Sequence, residues 1–319
     1  MKFRMLTAAA ALCATFLSQV SHAQDYPEGA VRLVVPTTPG STPDILARAI
    51  APKLSQRIGR PVVVDNRVGA SGNIGTEAVV RAAPNGSTLL IAASSLATGA
   101  PLQKAPFDAT TDLAPVTLLA WNKLVFVTQP STGIKTIEDL VAAARKAPGK
   151  LTYGSPGTGT PNHLTAELFK VKTQTFIMHI PYRGSAQQLT DVLGGQINLA
   201  PITASVAAPH ARSGKLVALA IAGDKRSALL PDVPSMKEAG VPGVDGNIWY
   251  GLFAPKGTPG ALISRLSGAV HAILQEEEKT LTAQGLEVEV STPQELQDRL
   301  ARDTARWAAL VKQQDIKAD

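Results

Sequence analysis

The chain has 319 residues, 31 Lys and Arg against 25 Asp and Glu, a net charge of +6 and one cysteine. That length favours two domains over one. The mild basic excess, with only 4% aromatic residues, lacks the dense Lys/Arg stripe of a nucleic-acid binder, and a lone cysteine excludes an intrachain disulfide and any cysteine-built metal centre.

The chain opens with Lys2 and Arg4, an apolar run from Met5 to Leu17, and Ser21-His22-Ala23. A basic start, a short hydrophobic core and a small-residue exit predict a cleaved signal peptide over 1–23 and an exported, periplasmic protein. The apolar run is shorter than the roughly 18 residues a membrane span needs. A lipid anchor on Cys13 is the alternative, but Ala10-Ala11-Leu12 puts leucine where small residues normally stand. Cleavage after Ala23 removes Cys13 with the signal.

Beyond it, short apolar runs alternate with helical periodicity. Strands are predicted at Val31 to Val35, Val62 to Asp65 and Leu89 to Ala92, with helices from Asp44 to Ile58 and Ile74 to Ala82. The pattern resumes with strands at Leu124 to Val127, Leu151 to Tyr153, Phe176 to Ile180 and Leu216 to Ile221, and helices at Ile137 to Ala147 and Pro161 to Lys172. Ile137, Leu140, Val141 and Ala144 share one helical face, Thr136 and Asp139 form a capping-box pair, and Pro148-Gly149 ends that helix. A strand at Trp249 to Ala254, a helix from Pro259 to about Glu278, a strand at Glu287 to Val290 and a helix from Pro293 complete the chain. Such alternation predicts two α/β units with parallel strands and crossover helices.

Three loops follow predicted strands, open predicted helices and consist mainly of Gly, Ser, Thr, Asn and Pro: Pro36 to Pro43, Gly69 to Gly75 and Gly154 to Pro161. Parallel sheets bind ligands at this edge, and a helix N-terminus favours an anion there. Carboxylate and phosphate both qualify. The plainer reading is that Thr-Pro starts helices in this chain, at Thr42-Pro43, Thr160-Pro161, Thr258-Pro259 and Thr292-Pro293. No Lys or Arg stands in these loops, so neutral dipoles would hold the anion.

The phosphate loop motif is absent, and Gly157-Thr158-Gly159-Thr160 lacks the third glycine of a dinucleotide fingerprint. His163, His179, His210 and His271 show neither i, i+4 pairing nor nearby acid pairs, so no metal or cofactor is expected. His163 either points at a ligand from the first helical turn or serves a cap or packing. Gly-x-Ser-x-Gly is missing around Ser155, which reads as a hydrogen-bonding serine. Arg183 either contacts an acid or is a solvated turn residue. Trp249 and Tyr250 line a cleft or fill the core.

Taken in order, the motifs resemble the Bug receptors, extracytoplasmic binding proteins of tripartite tricarboxylate transporters. They are Tyr26-Pro27, Val34-Val35-Pro36 with Pro39-Gly40 and Asp44, Val62-Val63-Val64-Asp65-Asn66-Arg67, and Ser71-Gly72-Asn73-Ile74-Gly75. Further on stand Pro84-Asn85-Gly86, Ala114-Pro115-Val116, Pro148-Gly149-Lys150-Leu151, Gly157-Thr158-Gly159, His163-Leu164 and Glu167-Leu168-Phe169. Pro181-Tyr182-Arg183-Gly184, Leu230-Pro231-Asp232-Val233-Pro234, Trp249 and Pro255-Lys256-Gly257-Thr258-Pro259 close the series. The resemblance implies a periplasmic-binding-protein type II fold, two doubly wound α/β lobes joined by crossing strands near Lys123 and Asn247. One lobe would comprise 24–123 and 248–319, the other 124–247. It also implies a carboxylate held in the cleft by amides, hydroxyls and waters. Thr37 replaces a usual aromatic, Ser41 a usual second glycine, and Gln187-Gln188 a common Pro-Ala.

The expected ligand-binding set is Thr37, Thr38, Gly40, Ser41 and Asp44 in the first loop, and Ser71, Gly72 and Asn73 in the second. Ser94 and Ser95 after the third strand join it, as do Ser155, Gly157, Gly159, Thr160 and His163 in the third loop, and Thr203. The expected function is capture of a small organic carboxylate by a monomeric receptor, without turnover, for a membrane transporter. Two rivals stand beside it: a sensor subunit that presents its ligand to a membrane kinase, and a secreted hydrolase or lyase using Ser155, His163 and Asp191.

Overall fold

The computed structural model describes residues 29–102, 105–182 and 184–317, and for Ser71 the backbone alone. The expected signal peptide at 1–23 with Cys13, the Tyr26-Pro27 pair and Arg183 lie outside the described residues.

The first half builds most of one lobe. Its elements are β1 (Val31–Val35), α1 (Thr42–Ile58), β2 (Val62–Asn66), α2 (Asn73–Val80), β3 (Thr88–Ala93), the short α3 (Ser95–Gly99) and α4 (Ala109–Asp112), and β4 (Leu113–Asn122). The second lobe runs through β5 (Leu124–Thr128), α5 (Ile137–Lys146), β6 (Thr152–Ser155), α6 (Pro161–Thr173), β7 (Met178–Pro181), α7 (Ser185–Leu193), β8 (Ala200–Thr203), α8 (Ala204–Arg212) and β9 (Val217–Ile221). The chain then returns to the first lobe with β10 (Ile248–Pro255), α9 (Gly260–Ala283), β11 (Glu287–Val288) and α10 (Pro293–Gln313).

The first sheet has the order β11-β4-β10-β3-β1-β2. β1 runs parallel to β2 and β3, and β10 is antiparallel to both β3 and β4. Both faces of its central strands are covered, which is why β3 and β10 read as largely apolar runs. Val31, Leu33 and Val35 face a core with Leu46, Ile50 and Leu54 of α1 and Leu266, Val270 and Ile273 of α9. Val34, Leu90 and Phe253 face the opposite way, against Leu296, Leu300 and Trp307 of α10. In the second lobe β5 lies between β8 and β9, antiparallel to each, while β6 runs parallel to β7 and bridges to Leu199 just before β8.

The predicted α/β alternation is present, with several corrections. β4 had no predicted counterpart because Pro115 interrupts its apolar run; Pro115 lies opposite Phe253, beside a register shift that absorbs the missing donor. α7, β8 and α8 were likewise unassigned. β7 begins at Met178 rather than Phe176, and α9 continues to Ala283. Thr160 and Thr292 cap α6 and α10 through their side chains, and Thr136 with Asp139 closes the predicted capping box. Thr-Pro is not a uniform start, however: Ser41 is the N-cap of α1, and Thr258 donates to Pro255 O instead of capping α9.

Candidate functional site

Parallel β1, β2 and β3 deliver their C-terminal loops to one edge of the first lobe. In the loop after β1, Thr37 Oγ1 and Ser41 Oγ lie 2.6 Å apart, so the two residues that depart from the family pattern satisfy each other. Asp44, at 2% exposure, organises this loop. Its Oδ2 accepts from Gly40 N at 2.8 Å and Arg48 Nε at 2.8 Å, and its Oδ1 from Asn66 Nδ2 at 3.0 Å. The Arg48 hydrogen bond, helped by Gly40 and Asn66, holds the carboxyl at about 2. Asn66 also donates to Thr37 O. Asp44 and the Gly40 amide, expected at the ligand, are therefore spent on each other, and Asp44 is a positioning residue. Arg48 was not singled out from the sequence, although its i, i+4 spacing from Asp44 was a readable signal, and Asn66 was read only as part of the Val62 to Arg67 motif, with no site role.

After β2 the chain makes one tight turn over Ala70–Gly72 into α2, with Gly72 N donating to Gly69 O at 2.9 Å and Gly72 at φ +95°. Gly75 fixes the approach of α2 to β1: a Cβ there would lie 2.7 Å from Arg67 O and 2.9 Å from Pro36 Cβ. After β3, Ser94 is buried with its amide on Trp249 O, and Ser95 is exposed.

The third loop is a self-contained cradle in the second lobe. Ser155 is fully buried, its Oγ 2.7 Å from His179 Nε2 and 3.0 Å from Gly157 O. Gly157 N donates to Ser155 Oγ, Thr160 N and Oγ1 both donate to Gly157 O, and Gly159 N donates to His163 Nδ1 at 3.0 Å. Amides at Gly157, Gly159 and Thr160 are thus engaged inside the loop rather than facing outward. His163, 3% exposed, stacks on His179 with ring centroids 3.9 Å apart and planes 10° from parallel. Because its Nδ1 accepts from an amide, the ring is a brace beneath the loop, and the cap-or-packing reading fits it. Below lies Glu167, bonded to Tyr153 Oη and to Lys170 Nζ at 2.7 Å. Burial, reinforced by the Glu167 charge, pushes the Tyr153 phenol far up.

The structure does not assemble the hydrolase constellation. His163 faces Gly159, and Asp191 is the partner of Tyr182, whose phenol burial pushes up to about 12. Thr203 accepts from Ser205 Oγ at 3.2 Å, and Ser205 in turn meets Asn122 Nδ2. Gln188, one of the family departures, is fully buried and ties Gly154 O to Pro201 O through its Nε2. Trp249 fills the core, 0% exposed with Nε1 on Asp303 Oδ2 at 2.8 Å, and Tyr250 is also buried. Among the described residues no group of three His, Cys, Asp or Glu could hold a metal, and no helix is long and apolar enough to cross a membrane.

The two lobes meet at the third loop: a Cβ on Gly159 would stand 2.8 Å from Leu102 Cδ1 of the first lobe. At the connections, Ile248 pairs with Asn122, and Leu124 N donates to Asn247 Oδ1 while Asn247 Nδ2 donates to Ala222 O.

Comparison with known proteins places this architecture. The family model described as "Tripartite tricarboxylate transporter family receptor" matches residues 46–316. Protein BugT of Bordetella pertussis is 36% identical over 300 residues, 92% of each chain. The solved structure of R. palustris Rpa4515 with adipate has TM-score 0.81 at 34% identity, covering 92% of this chain and 100% of that one. MatC (Rpa3494) from Rhodopseudomonas palustris with bound malate has TM-score 0.77 at 27% identity, over 90% of this chain and 100% of that one. A family match across most of the chain, a relative of nearly equal length and the two-lobed fold agree: this chain belongs to the receptor family of tripartite tricarboxylate transporters.

Proposed function

We propose that the chain captures a small organic carboxylate between a lobe formed by 24–123 and 248–319 and a lobe formed by 124–247, and delivers it to the membrane components of a tripartite transporter. One observation carries the reading: Gly159 of the third loop lies against Leu102 of the first lobe, which supports a cleft between the lobes beside the third loop. Related proteins of the same fold hold adipate and malate. The protein works in the periplasm, as a monomer, after removal of 1–23, and releases its ligand unchanged. The burial of Ser155 and the engagement of His163 with Gly159 support binding without turnover.

The test is a thermal-shift and calorimetric screen over mono-, di- and tricarboxylates. Ligand that binds only the folded state stabilises by RT ln(1 + [L]/Kd), about 4 kcal/mol at a thousandfold excess over Kd. Failure of every carboxylate to stabilise the protein would sink the proposal. Recovery of a chemically altered ligand would instead favour the enzyme reading.

A further inference from the structure

Beside the cleft, the first lobe contains a pocket of about 330 Å³ that shares only Gly72, Asn73 and Ser95 with the expected ligand-binding set. Its described walls come entirely from residues 36–110 and from α10, so lobe closure does not create it. Ala92, Leu96, Pro101, Phe107 and Ala308 make most of its surface apolar. At one side stand Gly72, Asn73 and Ser95, on the two loops that follow β2 and β3. Pro101 is the immediate neighbour of Leu102, the residue against which the third loop rests. The pocket therefore abuts the place where the cleft loops of both lobes converge, and its volume is in the range of small-ligand sites.

The pocket's polar groups restrict what can enter. Asp108 is the only charged side chain among its described lining residues, and its Oδ1 is fixed by Thr110 N at 2.8 Å and Thr110 Oγ1 at 2.6 Å. A carboxylate pushed inward would lose its water against mostly apolar walls, and the like charge of Asp108, itself exposed to solvent, adds to that cost. An alkyl chain or ring, by contrast, would trade water for alanine, leucine, proline and phenylalanine. Thr304 of α10 also lines the pocket, and its Oγ1 is buried with no hydrogen-bond partner among the described residues.

We infer that this pocket receives the apolar body of the ligand, and that the receptor takes carboxylates with one charged end and a neutral, hydrophobic remainder in preference to polycarboxylates. The inference rests on the carboxylate-receptor reading and narrows it to a substrate class. The charged end stays at the cleft loops, near Asn73 and Ser95; the body runs past Leu96 toward Phe107 and Ala308.

Hexanoate and adipate isolate the point, since they share six carbons and differ in the second carboxylate. Isothermal calorimetry on the full mature chain is expected to give hexanoate at least tenfold tighter binding than adipate, and phenylacetate tighter binding than malate. Ala308→Phe, which fills the pocket from α10, should reduce the hexanoate-to-malate selectivity at least tenfold. Ala100→Phe fills it from another wall and serves if the first variant fails to fold, as judged by circular dichroism. Adipate binding as tightly as hexanoate, or unchanged selectivity in a folded filling variant, overturns the inference and leaves the receptor reading standing. Absence of binding by all four compounds and by citrate removes both.

Discussion

Asp44→Asn removes one charge and almost no volume, and its cost follows from the hydrogen bonds around the carboxylate. All three partners are donors: Gly40 N and Arg48 Nε to Oδ2, and Asn66 Nδ2 to Oδ1. An asparagine offers one oxygen and one NH₂, so in either orientation at least one buried donor faces another donor. A charge-assisted bond contributes roughly 1.5–3 kcal/mol, and a buried group left unmatched costs about 1–3. Arg48 is 58% exposed, so solvent screening makes its ion pair the smaller part of the cost. The total comes to about 2–3 kcal/mol, or roughly 3–5 °C in Tm for a chain of this size. Urea unfolding of Asp44→Asn beside Arg48→Gln measures it. The Asn variant should also bind carboxylate more weakly, because Gly40 and the Thr37 carbonyl lose their anchor. A loss under about 0.5 kcal/mol, or an equal loss in Arg48→Gln, would refute the assignment of Asp44 as the organiser of the first loop.

Three further outcomes follow from the same geometry. The Asp44 carboxyl is depressed from 3.8 to about 2, so its contribution is complete above about pH 4 and disappears as pH falls toward 2; acid unfolding of Asp44→Asn should lack that component of the wild-type curve. Gly159 has φ +77° and Leu102 Cδ1 2.8 Å from its missing Cβ, so Gly159→Ala should lower stability by about 1–2 kcal/mol in urea unfolding; an alanine variant as stable as wild type would show that the loop is loose. Saturating carboxylate should compact the protein in small-angle scattering as the lobes close, and superimposable profiles with and without ligand would argue for a rigid receptor.

What could be read from the chain beforehand were the features with local causes. β3 and β5 are nearly unbroken apolar runs, and β1 one broken only by the exposed Arg32, because both faces of their sheets are covered, and α5 carries its own cap in Thr136 and Asp139. β4 was hidden because its support comes from β10, remote in sequence, and because Pro115 weakens its local signal. The three candidate loops were recognisable from their composition, but the assignment of hydrogen bonds within them was not. Gly40 and Asp44, and Gly159 and His163, close on each other four residues apart, through the local path of each loop, which composition does not specify. His179 was considered only as a metal ligand and not as a partner of the third loop, since it joins Ser155 and His163 only once β7 lies alongside β6.

The position of β10 also orders the events of folding. It lies between β3 and β4, pairing Tyr250 with Ala93 on one side and Trp249 with Trp121 on the other. Until residues 248–255 arrive, β3 and β4 have nothing between them, and the first lobe's sheet is two fragments with unpaired edges. The second lobe, whose β5 to β9 lie in one continuous stretch, can form first and carry Asn247 to the seam. Closure of the first lobe then waits on pairings of high contact order, which form slowly. The sheet of the first lobe therefore locks only when its last-arriving central strand is in place.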